Sequence, residues 1–154
     1  MKLMNKLALK VPPLIVAITT ALLMWLTALW LPQQNWEFRW WLFSLLMLMG
    51  GGVGLSGVLQ FRSSKTSVSP TNPNKAETLV TKGIYQYTRN PMYLGMAIML
   101  GAVACLLSNI VTLIWMIFYM IYITEFQIKP EEKILIEKFG NDFKSYMNSV
   151  RRWI

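Results

Sequence analysis

Two short clusters of polar and aromatic residues stand out in an otherwise apolar chain. The first is Tyr85-Gln86-Tyr87-Thr88-Arg89-Asn90-Pro91-Met92-Tyr93-Leu94-Gly95. The second is Pro130-Glu131-Glu132, followed by Leu135, Phe139-Gly140, Phe143 and Tyr146. Asn90-Pro91 reads as a helix start, with Asn as the cap and Pro at a first helical position that needs no N–H. That explains two residues and leaves Arg89, Tyr85, Tyr87 and Tyr93 crowded at one helix end. Glu131 and Glu132 fall in the first turn after a proline, where acids suit the helix dipole. Leu135, Phe139, Phe143 and Tyr146 follow at spacings of four, four and three, one apolar stripe along a helix lying at a membrane interface. Each cluster has two readings. Arg89 is an anchor, the tyrosines an interfacial belt and the acids dipole partners, or the two clusters together line a site. The chain has no histidine and one cysteine, Cys105. His-ligated metal sites and Ser-His-Asp or Cys-His catalysis are therefore excluded, as is an intramolecular disulfide. Cys105 reads as a small packing residue, and the eleven methionines as flexible filler.

The elements that must position these clusters are membrane helices. In 154 residues, 55% are hydrophobic and only 14% charged, with a net charge of +8. Soluble domains carry about 25% charged residues. The mean hydropathy of +0.41 points to a membrane protein diluted by polar segments. The basic surplus then belongs to an anionic membrane face rather than to nucleic acid. Four apolar runs are present: Pro13 to Leu31, Trp40 to Phe61, and Pro91 to Ile123 divided in two by Ser108-Asn109. About 20 helical residues cross a bilayer core, so the last two runs form a tight hairpin of barely sufficient length. The first run follows Lys2, Lys6 and Lys10 but has no small-residue cleavage site, so it reads as a retained span. Trp36, Trp40 and Trp41 suit an interfacial belt. The stretch from Ser63 to Asn74 is loop by composition.

Cations sort these segments. The N-terminus, the middle loop (Arg62, Lys65, Lys75, Lys82, Arg89) and the tail (Lys129, Lys133, Lys138, Lys144, Arg151, Arg152) are basic. The loop after the first span has only Arg39, and the Ser108-Asn109 turn has none. This alternation places both termini and the middle loop in the cytoplasm, which requires an even number of spans. The expected fold is an all-α integral membrane protein with about four transmembrane helices and a C-terminal amphipathic helical segment in the cytoplasm. The membrane would be the plasma (inner) membrane. Gly52-Val53-Gly54-Leu55-Ser56-Gly57 matches G-x-G-x-x-G, with Glu77 about 20 residues on, but no βαβ unit surrounds it. Gly50, Gly54 and Gly57 instead leave a smooth helix face for a close neighbour.

Taken together, Arg-Asn-Pro-x-Tyr-x-Gly at Arg89–Gly95 and Glu-Glu-x-x-Leu-x-x-x-Phe-Gly at Glu131–Gly140 resemble the isoprenylcysteine carboxyl methyltransferases and the related phospholipid N-methyltransferases. The resemblance covers Glu77 to Val150. The expected organisation is two N-terminal spans over residues 1–61, which match only as generic membrane helices, and a methyltransferase core over 62–154. The resemblance implies an S-adenosylmethionine site at the cytoplasmic face, with Glu77, Thr78, Leu79, Val80, Tyr85, Asn90, Pro91, Met92, Tyr93 and Glu131 as cofactor-binding residues. Free N–H groups at the helix start would take the cofactor carboxylate, Glu131 its ammonium, and apolar and tyrosine walls the adenine and sulfonium. Arg89 and Glu132 would orient the acceptor as the catalytic pair.

The sequence departs from the carboxyl methyltransferases at two positions. Asn90 stands where they have His, and Gln127 where they have the Arg expected to hold the substrate carboxylate. Gln127 is thus the substrate-binding candidate, with an amide in place of a charged fork.

The expected function is S-adenosylmethionine-dependent methyl transfer to a lipophilic or lipidated acceptor entering from the bilayer, by O-methylation. No nucleophilic side chain, metal or nucleic acid is involved. N-methylation of a phospholipid amine is the alternative reaction. A small four-span multidrug transporter is the alternative of another class, but it needs an acid inside a span, and Glu125 lies only at the end of the last run.

Overall fold

The computed structural model describes residues 9–32, 34, 37–63 and 78–154, and all described elements are helical. Helix α1 is Pro13–Trp30 and α2 is Arg39–Ser63. A short 3-10 turn, Gly83–Gln86, precedes α3, Pro91–Leu107. After a second 3-10 turn, Ile110–Thr112, come α4 at Leu113–Ile123, a π-helical turn at Thr124–Ile128, α5 at Lys129–Phe139 and α6 at Asn141–Ser149. Three stretches are long and apolar enough to cross a membrane: α1, α2 and the continuous helix Ile110–Phe139. The chain is accordingly an integral membrane protein. Helix α3 has 17 residues, about 26 Å at 1.5 Å per residue, which is shorter than a typical bilayer core.

Prolines set two helix starts. Pro13 and Pro91 sit in first turns, where a missing N–H costs nothing. Helix α3 ends where Ser108 turns left-handed, at φ 51° and ψ 38°. Asn109 then caps the next turn, its Oδ1 accepting from Val111 N at 2.9 Å. The same corner ties to the end of α1. Asn109 Nδ2 donates to Pro32 O at 3.1 Å, and Gln34 N donates to Ser108 O at 2.9 Å. Lower down, Trp115 Nε1 donates to Thr27 Oγ1 at 2.8 Å, joining α4 to α1.

The tightest packing is between α2 and α3, where the glycines permit it. A Cβ on Gly95 would stand 2.5 Å from the Gly50 carbonyl and 2.8 Å from Gly54 N. A Cβ on Gly57 would meet the Pro91 ring at 2.9 Å. Gly52 has open space around it and faces no neighbour. The sequence reading of a close-approach face thus holds for Gly50 and Gly57, whereas Gly54 meets Gly95 through its backbone and a Cβ on it would have nothing within 4 Å. Gly57 against Pro91 fixes the start of α3 beside the lower end of α2.

The core has two parts. One, inside the bundle, gathers Met24, Tyr93, Ala97, Leu100, Ala104, Tyr119, Ile123 and Ile128. The other, at the end where α3 begins, gathers Val80, Tyr85, Phe143, Tyr146 and Val150, with Phe61 and Phe139 against it. This second cluster changes two expectations. The stripe Leu135–Tyr146 is divided between α5 and α6, because Gly140 takes φ 55° and ends the helix. Its aromatic residues are covered by the protein rather than by a membrane interface: Phe143 is 3% exposed and Tyr146 8%. Trp40 and Trp41 at the start of α2 are well exposed, as an interfacial belt requires. Trp36 lies outside the described residues.

Candidate functional site

The start of α3, the π turn and the first turn of α5 meet at one end of the bundle. The two clusters, 38 residues apart in sequence, touch there: Tyr93 Oη donates to Glu131 Oε1 at 2.5 Å. Gln127 Nε2 donates to the same oxygen at 3.2 Å. This second contact is an ordinary i,i+4 pair, and the helix carries a π turn just before it. An i→i+5 bond, from Lys129 N to Thr124 O, widens the helix just before Glu131. Such single wide turns recur at functional sites. Gln127 is buried there. Glu131 is therefore held by two neutral donors and has no cationic partner among the described residues.

Glu132, the next residue, is in the opposite condition. Arg152 grips it with both arms, Nε to Oε1 at 3.0 Å and Nη2 to Oε2 at 2.7 Å. Arg89 Nη2 reaches Oε1 at 3.0 Å as well. Adjacent acids thus have separate environments, because successive residues on a helix point about 100° apart. Glu131 faces α3 and Glu132 faces the chain before α3. Burial pulls the Arg89 guanidinium down from its ordinary value, against the opposing effect of Glu132. The hydrogen bonds to Glu132 push Arg152 up.

The C-terminal residues complete this end of the fold. Arg89 N donates to Arg151 O at 3.1 Å, and Asn90 Nδ2 to Arg152 O at 2.9 Å. Asn90 therefore does not cap α3 as expected; its side chain is engaged across the fold. Thr88 Oγ1 instead accepts from Asn90 N at 3.1 Å, tightening the turn before the helix. Trp153 Nε1 donates to Thr124 Oγ1 in the π turn at 3.2 Å. Tyr146 Oη donates to Tyr85 O at 2.6 Å, and burial pushes both phenols up.

Of the residues expected to form the site, Tyr85, Arg89, Asn90, Pro91, Met92, Tyr93, Gln127, Glu131 and Glu132 come together at this end. Val80 joins them through the aromatic cluster, with Leu79 partly buried beside it. Thr78 is exposed. Glu77 lies outside the described residues. Arg152, Thr124 and Trp153 were not singled out by sequence, and Tyr146 was read only as part of the apolar stripe. Arg151-Arg152 reads as two more cytoplasmic charges, and no spacing links either one to an acid twenty residues away.

Among the described residues, three buried polar groups at and near this end have no hydrogen-bond partner: Tyr85 Oη, the Nε and Nη1 of Arg89, and Tyr119 Oη. Native proteins pair most buried polar groups with protein, ordered water or a bound ion. Beside the site, an apolar groove of about 380 Å³ runs up the bundle between α1, α2 and α3. Met92 lines its lower part with Leu14 and Val58, and Met99, Val103 and Met47 line it further up.

The matches to known proteins cover these same elements. Residues 38–142 match the phospholipid methyltransferase family. Protein-S-isoprenylcysteine O-methyltransferase of Dictyostelium discoideum is 28% identical over 132 residues, 82% of this chain and 53% of that protein. The protein of the same name from Schizosaccharomyces pombe is 30% identical over 105 residues, 68% of this chain and 44% of that one. The chain thus spans about half the length of these curated relatives. An uncharacterized protein of Haemophilus influenzae is 36% identical over 63 residues, 41% of this chain and all of that protein. No solved structure matches. Because the match runs from α2 through α5 and takes in both polar clusters, the chain belongs to the phospholipid methyltransferase family.

Proposed function

We propose that this protein is an S-adenosylmethionine-dependent methyltransferase acting on a lipophilic acceptor at the cytoplasmic membrane face. The observation that carries the cofactor assignment is Glu131. A half-buried carboxylate fixed by Tyr93 and Gln127, yet without a cation, is built to receive one. The cofactor's ammonium has that charge. Glu132 cannot serve the same purpose, because Arg89 and Arg152 already neutralise it.

The remaining residues fit the rest of the cofactor. Pro91, Met92 and Tyr93 open α3, and the free N–H groups of a helix N-terminus favour a carboxylate. Leu79, Val80 and Tyr85 supply apolar and aromatic wall. Thr78 and Glu77 extend that stretch. When bound, S-adenosylmethionine supplies a methyl group already activated by its sulfonium. The protein's own contribution is then orientation and exclusion of water, which needs no nucleophilic side chain.

The acceptor's hydrocarbon part fits the groove that Met92 and Gly95 share with α1 and α2. Arg89, three residues before Met92, and its ion partner Glu132 are the orienting groups of this reading, and Gln127 hydrogen-bonds the cofactor acid Glu131. O-methylation of a lipidated acceptor is the preferred reaction, as the names of the two relatives suggest. N-methylation of a phospholipid amine is the second, favoured by the neutral side chain at Gln127. Four spans, with α3 as the short one, place both termini and the loop between α2 and α3 in the cytoplasm of an inner or plasma membrane. Reporter fusions at Ser69 and at the C-terminus test this; an outside signal from either overturns it. Labelled S-adenosylmethionine should bind the purified protein and label a lipid fraction, and failure to bind would overturn the enzyme reading.

A further inference from the structure

Arg89, Arg152 and Glu132 form one cluster with two positive charges and one negative. Arg152 occupies Glu132 with two hydrogen bonds, so Arg89 is left a single contact through Nη2. The Arg89 side chain is only 9% exposed, and its Nε and Nη1 are buried with no partner. Glu131, the other acid at this end, faces Tyr93 and Gln127 and makes no ion pair with Arg89. A guanidinium does not give up its proton in this setting, and a buried charge without a counter-charge is costly. The Tyr146 hydroxyl, whose residue interacts with Arg89, is spent on the Tyr85 carbonyl. The atoms left over, Nε and Nη1, are donors on one positive charge. An acidic oxygen group satisfies them, whereas an amine or an alkyl chain does not.

We propose that the unpaired N–H groups on Nε and Nη1 of Arg89 bind an oxyanion, a carboxylate or phosphate, of the acceptor or of the cofactor. This rests on the methyl-transfer reading and narrows it: the site takes a ligand with an acidic group. Arg89 then supplies from the start of α3 the charge that Gln127 does not supply from the π turn. Arg152 is a positioning residue. By holding Glu132 bidentately it keeps that carboxylate from closing over the rest of Arg89.

The test compares acid and neutral probes on the full-length protein in detergent, with binding read by tryptophan fluorescence. The acceptor pairs are farnesylcysteine against its methyl ester, and lysophosphatidic acid against monoacylglycerol. The cofactor pair is S-adenosylmethionine against its decarboxylated analogue. Wild type should prefer the acid member of at least one pair by roughly tenfold or more. Arg89→Gln should abolish that preference, and Arg89→Lys, which keeps the charge but not the fork, should retain part of it. Loss in an acceptor pair assigns the oxyanion to the acceptor, and loss in the cofactor pair assigns it to the cofactor. Should Arg89→Gln fail to fold by circular dichroism, wild type and Arg89→Lys decide. No acid preference in wild type, or an undiminished one in folded Arg89→Gln, overturns the proposal. An Arg89-dependent acid preference in a protein that binds no S-adenosylmethionine supports the oxyanion site and sinks the methyl-transfer reading instead.

Discussion

Replacing Gly95 by alanine puts one methyl group into the closest contact of the fold. The new carbon would lie 2.5 Å from the Gly50 carbonyl oxygen, 2.8 Å from Gly54 N and 2.9 Å from Gly54 Cα. All three are backbone atoms of α2, so no side chain can swing aside. Ordinary contact requires the helices to part by several tenths of an ångström, and overpacking of this kind costs about 1–3 kcal/mol. Because the obstacle is backbone, the upper end applies. Alanine in a helix interior also gains roughly 0.5–1 kcal/mol over glycine. Gly52→Ala has that same gain and no clash, since nothing lies within 4 Å of its new carbon. The difference between the two variants therefore isolates the clash, about 3 kcal/mol. For a chain of this size that is a separation of roughly 6–12 °C in thermal midpoint. Thermal unfolding of both variants in the same detergent measures it. Gly95 follows Tyr93 by two residues, so Gly95→Ala should also weaken cofactor binding, whereas Gly52→Ala should not. Equal midpoints for the two variants would refute the packing of α2 on α3.

Tyr93→Phe removes the 2.5 Å bond to Glu131 and should weaken S-adenosylmethionine roughly tenfold or more, at about 1.5–3 kcal/mol for a hydrogen bond to a charged group, by calorimetry. Arg152→Ala leaves Glu132 with Arg89 alone. Arg152 is partly exposed, so the cost should be about 1–3 kcal/mol in stability, read by thermal unfolding. Gln127→Leu takes away the second donor to Glu131 and should reduce cofactor affinity several-fold, less than Tyr93→Phe, because its bond is the longer one. Burial holds the Tyr85 and Tyr146 phenols above their ordinary value of 10.0. Their contribution to stability is therefore present in full below that value and is lost as pH rises past it, where the unfolded chain ionises first. Tyr85→Phe should flatten the alkaline limb of a stability-against-pH curve.

The apolar helices were legible because their signal is local. Length, hydropathy and Pro91 fix α1, α2 and α3 within a residue or two of the expected bounds. The small-residue face on α2 was legible for the same reason, since glycines one or two turns apart share a side. The pairing of the two polar clusters could be read from their joint occurrence, and the Tyr93–Glu131 bond realises it. What escaped sequence reading is long-range. Arg152 enters the cluster only because the C-terminal segment folds back on Thr88, Arg89 and Asn90 through backbone carbonyls, and carbonyls have no sequence signature. For the same reason Asn90, a good cap by residue type, is drawn to a distant oxygen. The amphipathic stripe gave the right face but the wrong neighbour, because periodicity marks what is apolar and not what covers it. Gly140 was visible as a glycine, but the break it makes follows from its positive φ.

The most direct test of the account is S-adenosylmethionine binding by the purified full-length protein, measured by calorimetry for wild type and Glu131→Ala. The carboxylate left without a cation is the feature on which the cofactor assignment stands. Wild type should bind, and Glu131→Ala, checked for its fold by circular dichroism, should bind roughly 10- to 100-fold more weakly. Binding by the folded variant at wild-type strength, or no binding by wild type, would contradict it.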